Sequence, residues 1–194
     1  QLRTGAARAA RRHMATISLS GGEKLERRLA ALSSRIAKGG TLRVGFLEGS
    51  TYPDGTSVPM VAATQNFGAP GAGIPPRPFF NKFIADNSDE WGAQLARLLQ
   101  GSNFDVEKSL NIMGMGMVGQ LQTAIIETNE PPLSPVTLLL RSRFPTGDYD
   151  AGDVWQAFAD IAAGEVPSGG SSKPLVWSGT MLNAVNYEVV TDDG

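Results

Sequence analysis

The chain contains 194 residues, 41% of them hydrophobic and 19% charged, with no cysteine and a single histidine, His13. The absence of cysteine excludes disulfide bonds and thiolate zinc sites, and one histidine gives little basis for a histidine-rich metal site or a Ser-His-Asp triad. The formal net charge of −2 provides no general attraction to nucleic acid, and no apolar run approaches the roughly 18 residues of a membrane-spanning helix.

A basic stretch, residues 1–13, opens the sequence and contains four arginines: Arg3, Arg8, Arg11 and Arg12. Two interpretations fit this stretch. It is either an upstream extension before a natural start at Met14, or a basic arm that contacts DNA or an acidic partner. It lacks the apolar core of a secretory signal, so we expect none. We assign residues 1–20 to an arm or leader and residues 21–194 to a single domain.

Hydrophobic periodicity and turn residues predict the secondary structure of that domain. The pattern indicates helices over residues 23–37, 58–68, 79–99, 105–129, 154–164 and 178–185, and strands over 41–47 and 186–190. Long loops are expected near 48–58, 68–78 and 142–173. We expect the helix over 79–99 to be interrupted near Asn87 and Ser88, and the proline-rich stretch 131–144 to be extended. These elements predict an α+β fold, in which a small antiparallel sheet packs with a long helical pair.

The segment GMGMVG, Gly114 to Gly119, matches the glycine spacing of a dinucleotide-binding turn. That turn needs a strand before it, whereas an amphipathic helical pattern runs into Gly114 from Asp105. We therefore interpret these glycines as a site of close packing in a helix. Three acidic residues, Asp148, Asp150 and Asp153, alternate in a way that would suit calcium, but a solvated loop fits better. No residues form a credible acid–base pair, so we predict no catalytic, cofactor or metal site.

The stretch GIPPRPFF, Gly73 to Phe80, combines a rigid backbone with large apolar side chains. Its three prolines fix φ and remove backbone donors, so it should be a stiff, extended strap. We predict that Arg77 forms a bidentate pair with a carboxylate of a neighbouring subunit, so that Arg77→Ala weakens assembly more than monomer stability. The alternative is that the strap packs only within its own subunit.

Three motifs occur in a fixed order along the chain: IPPRPFF at 74–80, PPLSPVT at 131–137 and KPLVWSGTMLNAVNYEV at 173–189. In this order they resemble the tail-completion or neck proteins of tailed bacteriophages, a family similar to minor tail protein Z. The sequence Asn66-Phe67-Gly68 also fits that family's pattern. Trp177 stands where the family commonly has an acidic or amide residue, and the region 148–172 is longer than is typical.

The resemblance implies a structural virion protein without enzymatic activity, located at the neck or the top of the tail after assembly in the host cytoplasm. It implies a homo-oligomeric, hexameric ring whose partners are the head–tail connector and the tail tube or terminator proteins. The predicted interface comprises Ile74, Pro75, Arg77, Pro78, Phe79, Phe80 and Trp177. Contact with packaged DNA is assigned to Arg3, Arg8, Arg11 and Arg12. The alternatives are a tail terminator or another connector component and, from a different class, a small nucleotide-binding enzyme.

Overall fold

The structure is a computed structural model that describes residues 22–37, 39–169 and 171–191. The arginines of the predicted basic arm lie outside these residues. The helices are α1 (Gly22–Ile36), α2 (Val58–Phe67), α3 (Phe79–Gly101), α4 (Val106–Glu127), α5 (Pro135–Arg143), α6 (Ala151–Ala162) and α7 (Thr180–Asn183), with a short 3-10 helix at Pro70–Ala72. The strands are β1 (Gly40–Phe46) and β2 (Val185–Thr191).

The two strands, from opposite ends of the domain, form an antiparallel sheet in which Val44 lies opposite Tyr187. Side chains alternate between the faces of a strand, so Val44 and Phe46 share the face that packs on the core. The opposite face is exposed and carries the ion pair between Arg43 and Glu188. The predicted α+β fold, with a small antiparallel sheet against a long helical pair, is confirmed.

Helix α4 packs against both strands and against α3, and the pair α3 and α4 supplies half of the buried residues of the main core. Its most deeply buried side chains are Phe79, Phe83, Leu121 and Ile125, together with Val58 of α2. A second, smaller apolar cluster joins α5 to α6 through Leu139, Leu140 and Ala157. The two clusters are linked by the loops that flank α5.

Two predicted features of the secondary structure are wrong. Helix α3 runs without a break through Asn87, whose side-chain amide donates to the Phe83 carbonyl oxygen one turn earlier at 2.8 Å. Much of the stretch 131–144 is helical rather than extended. There, Ser134 caps α5 by accepting from the Thr137 amide at 3.1 Å, and Pro135 occupies the first turn, where proline is tolerated.

The glycines of GMGMVG lie within α4, so the strand–turn–helix context of a dinucleotide site is missing. Gly114 faces the sheet, and a methyl group added there would lie 2.6 Å from Tyr187 Cγ. The packing interpretation therefore holds for Gly114, although the neighbour is an aromatic ring. At Gly116 and Gly119 an added methyl group would meet nothing within 4 Å beyond the neighbouring residues and backbone of α4 itself.

We predict that Gly114→Ala lowers the free energy of unfolding by about 1–3 kcal/mol, because the Tyr187 ring would have to shift. Gly116→Ala is the matched control and should raise it by about 0.5–1 kcal/mol, since alanine has the better helix propensity and meets no neighbour. Urea unfolding of both variants measures the difference. Equal effects of the two substitutions would show that Tyr187 does not pack on Gly114.

Candidate functional site

The strap bonds to α2 and to the segment that follows α2. Ile74 forms an isolated bridge with Ala69, and the Arg77 amide donates to the Gln65 carbonyl oxygen at 2.7 Å. The strap then leads directly into α3 at Phe79. Residues 75–78 form neither helix nor strand, and the stiffness that the prolines predict stays a prediction.

Arg77 is only 5% exposed, and its side chain bonds within its own chain. Nε donates to the Pro131 carbonyl oxygen at 3.0 Å, Nη1 to Gln65 Oε1 at 3.1 Å, and Nη2 to the Pro132 carbonyl oxygen at 3.4 Å. Burial lowers the pKa of the Arg77 guanidinium. This placement favours the alternative in which the strap packs within its own subunit, and not the predicted pairing with a neighbour's carboxylate.

The other predicted interface residues differ in exposure. Phe79 is 1% exposed and packs edge-to-face on Phe46, with ring centroids 6.2 Å apart. Ile74 and Phe80 are half-buried, whereas Pro75 and Pro78 are exposed. Phe79 therefore belongs to the core, and only the two prolines present substantial surface to a partner.

Trp177 is half-buried beside a second buried arginine, Arg141 of α5. The Arg141 guanidinium carbon lies 5.2 Å from the centroid of the Trp177 ring, which also stacks on Tyr149. Arg141 donates to the carbonyl oxygens of Ser171, Lys173 and Pro174 at 2.8–3.3 Å. Sequence reasoning missed Arg141. The only signal for it is a cation placed directly after three leucines.

The two buried arginines bring the three sequence motifs together. Arg77 of the first motif bonds to carbonyl oxygens of the second, at Pro131 and Pro132. Arg141, in the helix that the second motif begins, bonds to carbonyl oxygens at the start of the third, at Lys173 and Pro174. Motifs that are far apart in sequence therefore meet at one place in the fold.

Two helices present large apolar side chains to solvent. In α1 the stripe formed by Leu25, Leu29, Leu32 and Ile36 does not enter the core, and Leu29 is 54% exposed. In α6, Trp155 is 74% exposed and lies against Phe158, with ring centroids 6.1 Å apart. Exposed apolar side chains grouped in this way are typical of interaction surfaces.

The two apolar surfaces have opposite electrostatic surroundings. Helix α1 carries four basic and two acidic residues. Helix α6 carries two acidic residues and no basic one, and Asp148 and Asp150 precede it directly. Complementary charge of this kind steers association between unlike surfaces.

Comparison with family models, curated proteins and solved structures finds no match to this chain.

The acidic residues before and within α6 act as structural groups. Asp150 accepts from the amides of Gly152 and Asp153, and Asp153 accepts from the Asp150 amide, which completes a capping box. Asp148 accepts from the Thr146 hydroxyl at 2.7 Å. Across the described ranges, no three His, Cys, Asp or Glu side chains are placed to hold a metal ion. None of the helices described is long and apolar enough to cross a membrane.

An ion pair connects α5 and α6, in which Arg143 Nη1 lies 2.7 Å from Asp160 Oδ2. The hydrogen bond from Arg143 is the main cause that lowers the pKa of Asp160, and Gln156 adds to it. Because the pKa of Asp160 is lower in the folded state, the ion pair adds stability that is fully present above the unfolded-state pKa of about 3.9. This stability is lost as the pH falls through the folded-state pKa. We predict that Asp160→Asn lowers the unfolding free energy at pH 7 and has a diminishing effect below pH ~4.

Denaturant unfolding from pH 7 to pH 3 tests this prediction. Asp89→Asn is the control, because Asp89 is exposed and forms no ion pair with the described residues. An Asp160→Asn effect that stays constant down to pH 3 would show that the ion pair does not stabilise the fold.

Proposed function

We propose that this chain is a structural subunit of a bacteriophage virion, which assembles with copies of itself into a ring at the joint between head and tail. Its mechanism is docking, in which the ring presents one surface to the head connector and another to the tail. A tail terminator or another connector component is the alternative role. The order of the three motifs supports the virion assignment, and Arg77 and Arg141 connect the motifs in the fold.

The observation that carries the assembly proposal is the pair of exposed apolar surfaces on α1 and α6. Leu25 and Leu29 on one helix, and Trp155 and Phe158 on the other, are each more than half exposed. Aromatic side chains at such positions are the usual anchors of protein interfaces. A chain that has two unlike surfaces of this kind is equipped to contact two neighbours at once.

The charges favour contact of α1 with α6 of the next copy. Pairing α1 with α1 would bring two basic helices together, and pairing α6 with α6 would bring two acidic ones together. Contact between unlike surfaces repeats from one copy to the next, and it closes into a ring when the rotation per subunit permits. We therefore propose a head-to-tail ring, and sixfold symmetry would match a tail tube.

The strap has a supporting role in this proposal. Arg77 and Phe79 are buried in their own chain, so they position α3 and the loop at 131–132 rather than contacting a neighbour. The exposed Pro75 and Pro78 remain available to a partner. Contact of Arg3, Arg8, Arg11 and Arg12 with packaged DNA stays a prediction from the sequence. Deletion of residues 1–13 tests it, because DNA binding by these arginines must weaken with salt.

Native mass spectrometry of the purified chain over a range of concentrations tests the assembly proposal. We expect one discrete oligomer whose mass is a whole multiple of 20.5 kDa, and electron microscopy should show it as a ring. A chain that stays monomeric at every concentration and in the presence of connector and tail proteins would contradict the proposal. A rise in melting temperature with a nucleotide that inorganic phosphate does not reproduce would instead favour the enzyme alternative.

A further inference from the structure

A pocket of about 550 Å³ lies where the strap meets α5. Both buried arginines line it, and the other polar side chains around it are Gln65, Ser134 and Thr137. Arg77 is 5% exposed and Arg141 is 9% exposed. Two buried arginine side chains therefore line one small pocket that is open to solvent on one side.

No described carboxylate neutralises either arginine. All six hydrogen bonds that the two guanidinium groups donate go to uncharged oxygens, five of them backbone carbonyls. Arg141 Nε is buried and has no hydrogen-bond partner among the described residues. Asp54, which shares a different pocket with Arg141, accepts instead from the Thr56 amide at 2.9 Å.

Several positive groups meet at this pocket. Burial is the main cause that lowers the pKa of Arg141; the charge of Tyr149 raises it, and the charge of Arg77 lowers it. The amino terminus of α5 also reaches the pocket at Ser134 and Thr137, and the amino end of a helix dipole is positive. Burying like charges without a counter-charge is unfavourable, so an anion that entered would be held strongly.

We propose that this pocket binds one oxyanion, a carboxylate or a phosphate group, between Arg77 and Arg141. The guanidinium groups would donate charge-assisted hydrogen bonds, and the Ser134 and Thr137 hydroxyls would orient the group. Because the two arginines join the three motifs, a bound oxyanion would stabilise the junction of the strap, α5 and the loop at 171–174. The site belongs to a single subunit, so the inference does not depend on ring formation.

Removing either arginine would damage the fold, so the test adds a negative charge inside the pocket. In Gln65→Glu, a carboxylate oxygen replaces the oxygen that now accepts from Arg77 Nη1 at 3.1 Å. In Thr137→Glu, the new side chain stands three residues after the cap Ser134, where it completes a favourable capping box. Gln100→Glu is the control, since it changes the net charge equally at an exposed position near the far end of α3.

The measurement is the melting temperature in sodium phosphate, sodium acetate and sodium chloride at equal ionic strength and pH 7, followed by calorimetric titration with phosphate. We expect phosphate to raise the melting temperature of the wild type and of Gln100→Glu alike. Both pocket variants should bind phosphate roughly tenfold more weakly or worse, because the added carboxylate repels the anion and, in Gln65→Glu, also occupies an Arg77 donor.

The two salts separate the sources of the oxyanion. A rise with acetate as well as phosphate assigns the pocket to carboxylates in general, such as an acidic side chain, and a rise with phosphate alone assigns it to phosphate groups. The same rise in all four proteins would be a general salt effect and would overturn the proposal. A wild type with the same melting temperature in phosphate and in chloride would also overturn the proposal.

Discussion

Replacing Arg77 by alanine is expected to lower the free energy of unfolding by about 3 kcal/mol, because it removes three hydrogen bonds from a buried cation. The carbonyl oxygens of Pro131 and Pro132 and the Gln65 side chain would lose this donor. Assembly should fall only in step with the fraction of folded chain. Urea unfolding, read beside the oligomer mass, measures both effects.

Arg43→Ala is the matched control for this prediction. Arg43 also makes a contact far along the sequence, across the two strands to Glu188 at 3.4 Å, but its side chain is 66% exposed. Its loss should cost less than about 1 kcal/mol. If Arg77→Ala dissolved the oligomer and left the unfolding free energy unchanged, Arg77 would be the inter-subunit contact that the sequence alone predicted, and its buried placement would be incorrect.

Trp155→Glu is expected to abolish the oligomer while leaving the monomer folded. Trp155 is 74% exposed and packs on Phe158 alone among the aromatic rings, so the fold itself loses little. The new carboxylate would meet a desolvated, apolar interface, where an unpaired charge costs several kcal/mol. Light scattering should give the mass of one subunit, and the unfolding free energy should stay within about 0.5 kcal/mol of wild type.

Met60→Glu is the control for Trp155→Glu. Met60 is an exposed apolar residue on α2, outside both proposed contact surfaces, and the substitution adds the same charge. It should leave the oligomer mass unchanged. If both variants dissociated, added negative charge would be the cause. If neither did, α6 would lie outside the interface.

The sequence predicts the fold class because its strongest signals are local. The helical periodicity of apolar residues predicts α3 and α4, and the alternation of apolar and polar residues predicts β1. The small sheet beside a helical pair follows from these elements. The errors arise where short-range features compete. The prolines at 131, 132 and 135 favour extended structure, but Ser134 and Pro135 together begin a helix, and the Asn87 side chain finds a carbonyl partner within α3.

The candidate site is less predictable because burial is a property of the whole fold. The prolines predict a stiff strap, yet nothing local shows that Arg77 turns inward, or that Arg141 joins it from α5. The sequence predicts that α6 is amphipathic but does not show whether Trp155 and Phe158 face the core or the solvent. The packing of Ala157 against α5 shows that they face the solvent. The stripe on α1 has the pattern of a buried face, although it is exposed.

A mixing experiment tests most directly whether unlike surfaces join the subunits. Leu29→Glu blocks the α1 surface and Trp155→Glu blocks the α6 surface, so each variant alone should be a monomer. A mixture retains one intact α6 on the first variant and one intact α1 on the second. Native mass spectrometry should then show a dimer containing one copy of each variant, and no larger species. A mixture that stays monomeric, or a single variant that still forms the full oligomer, would contradict head-to-tail assembly through α1 and α6.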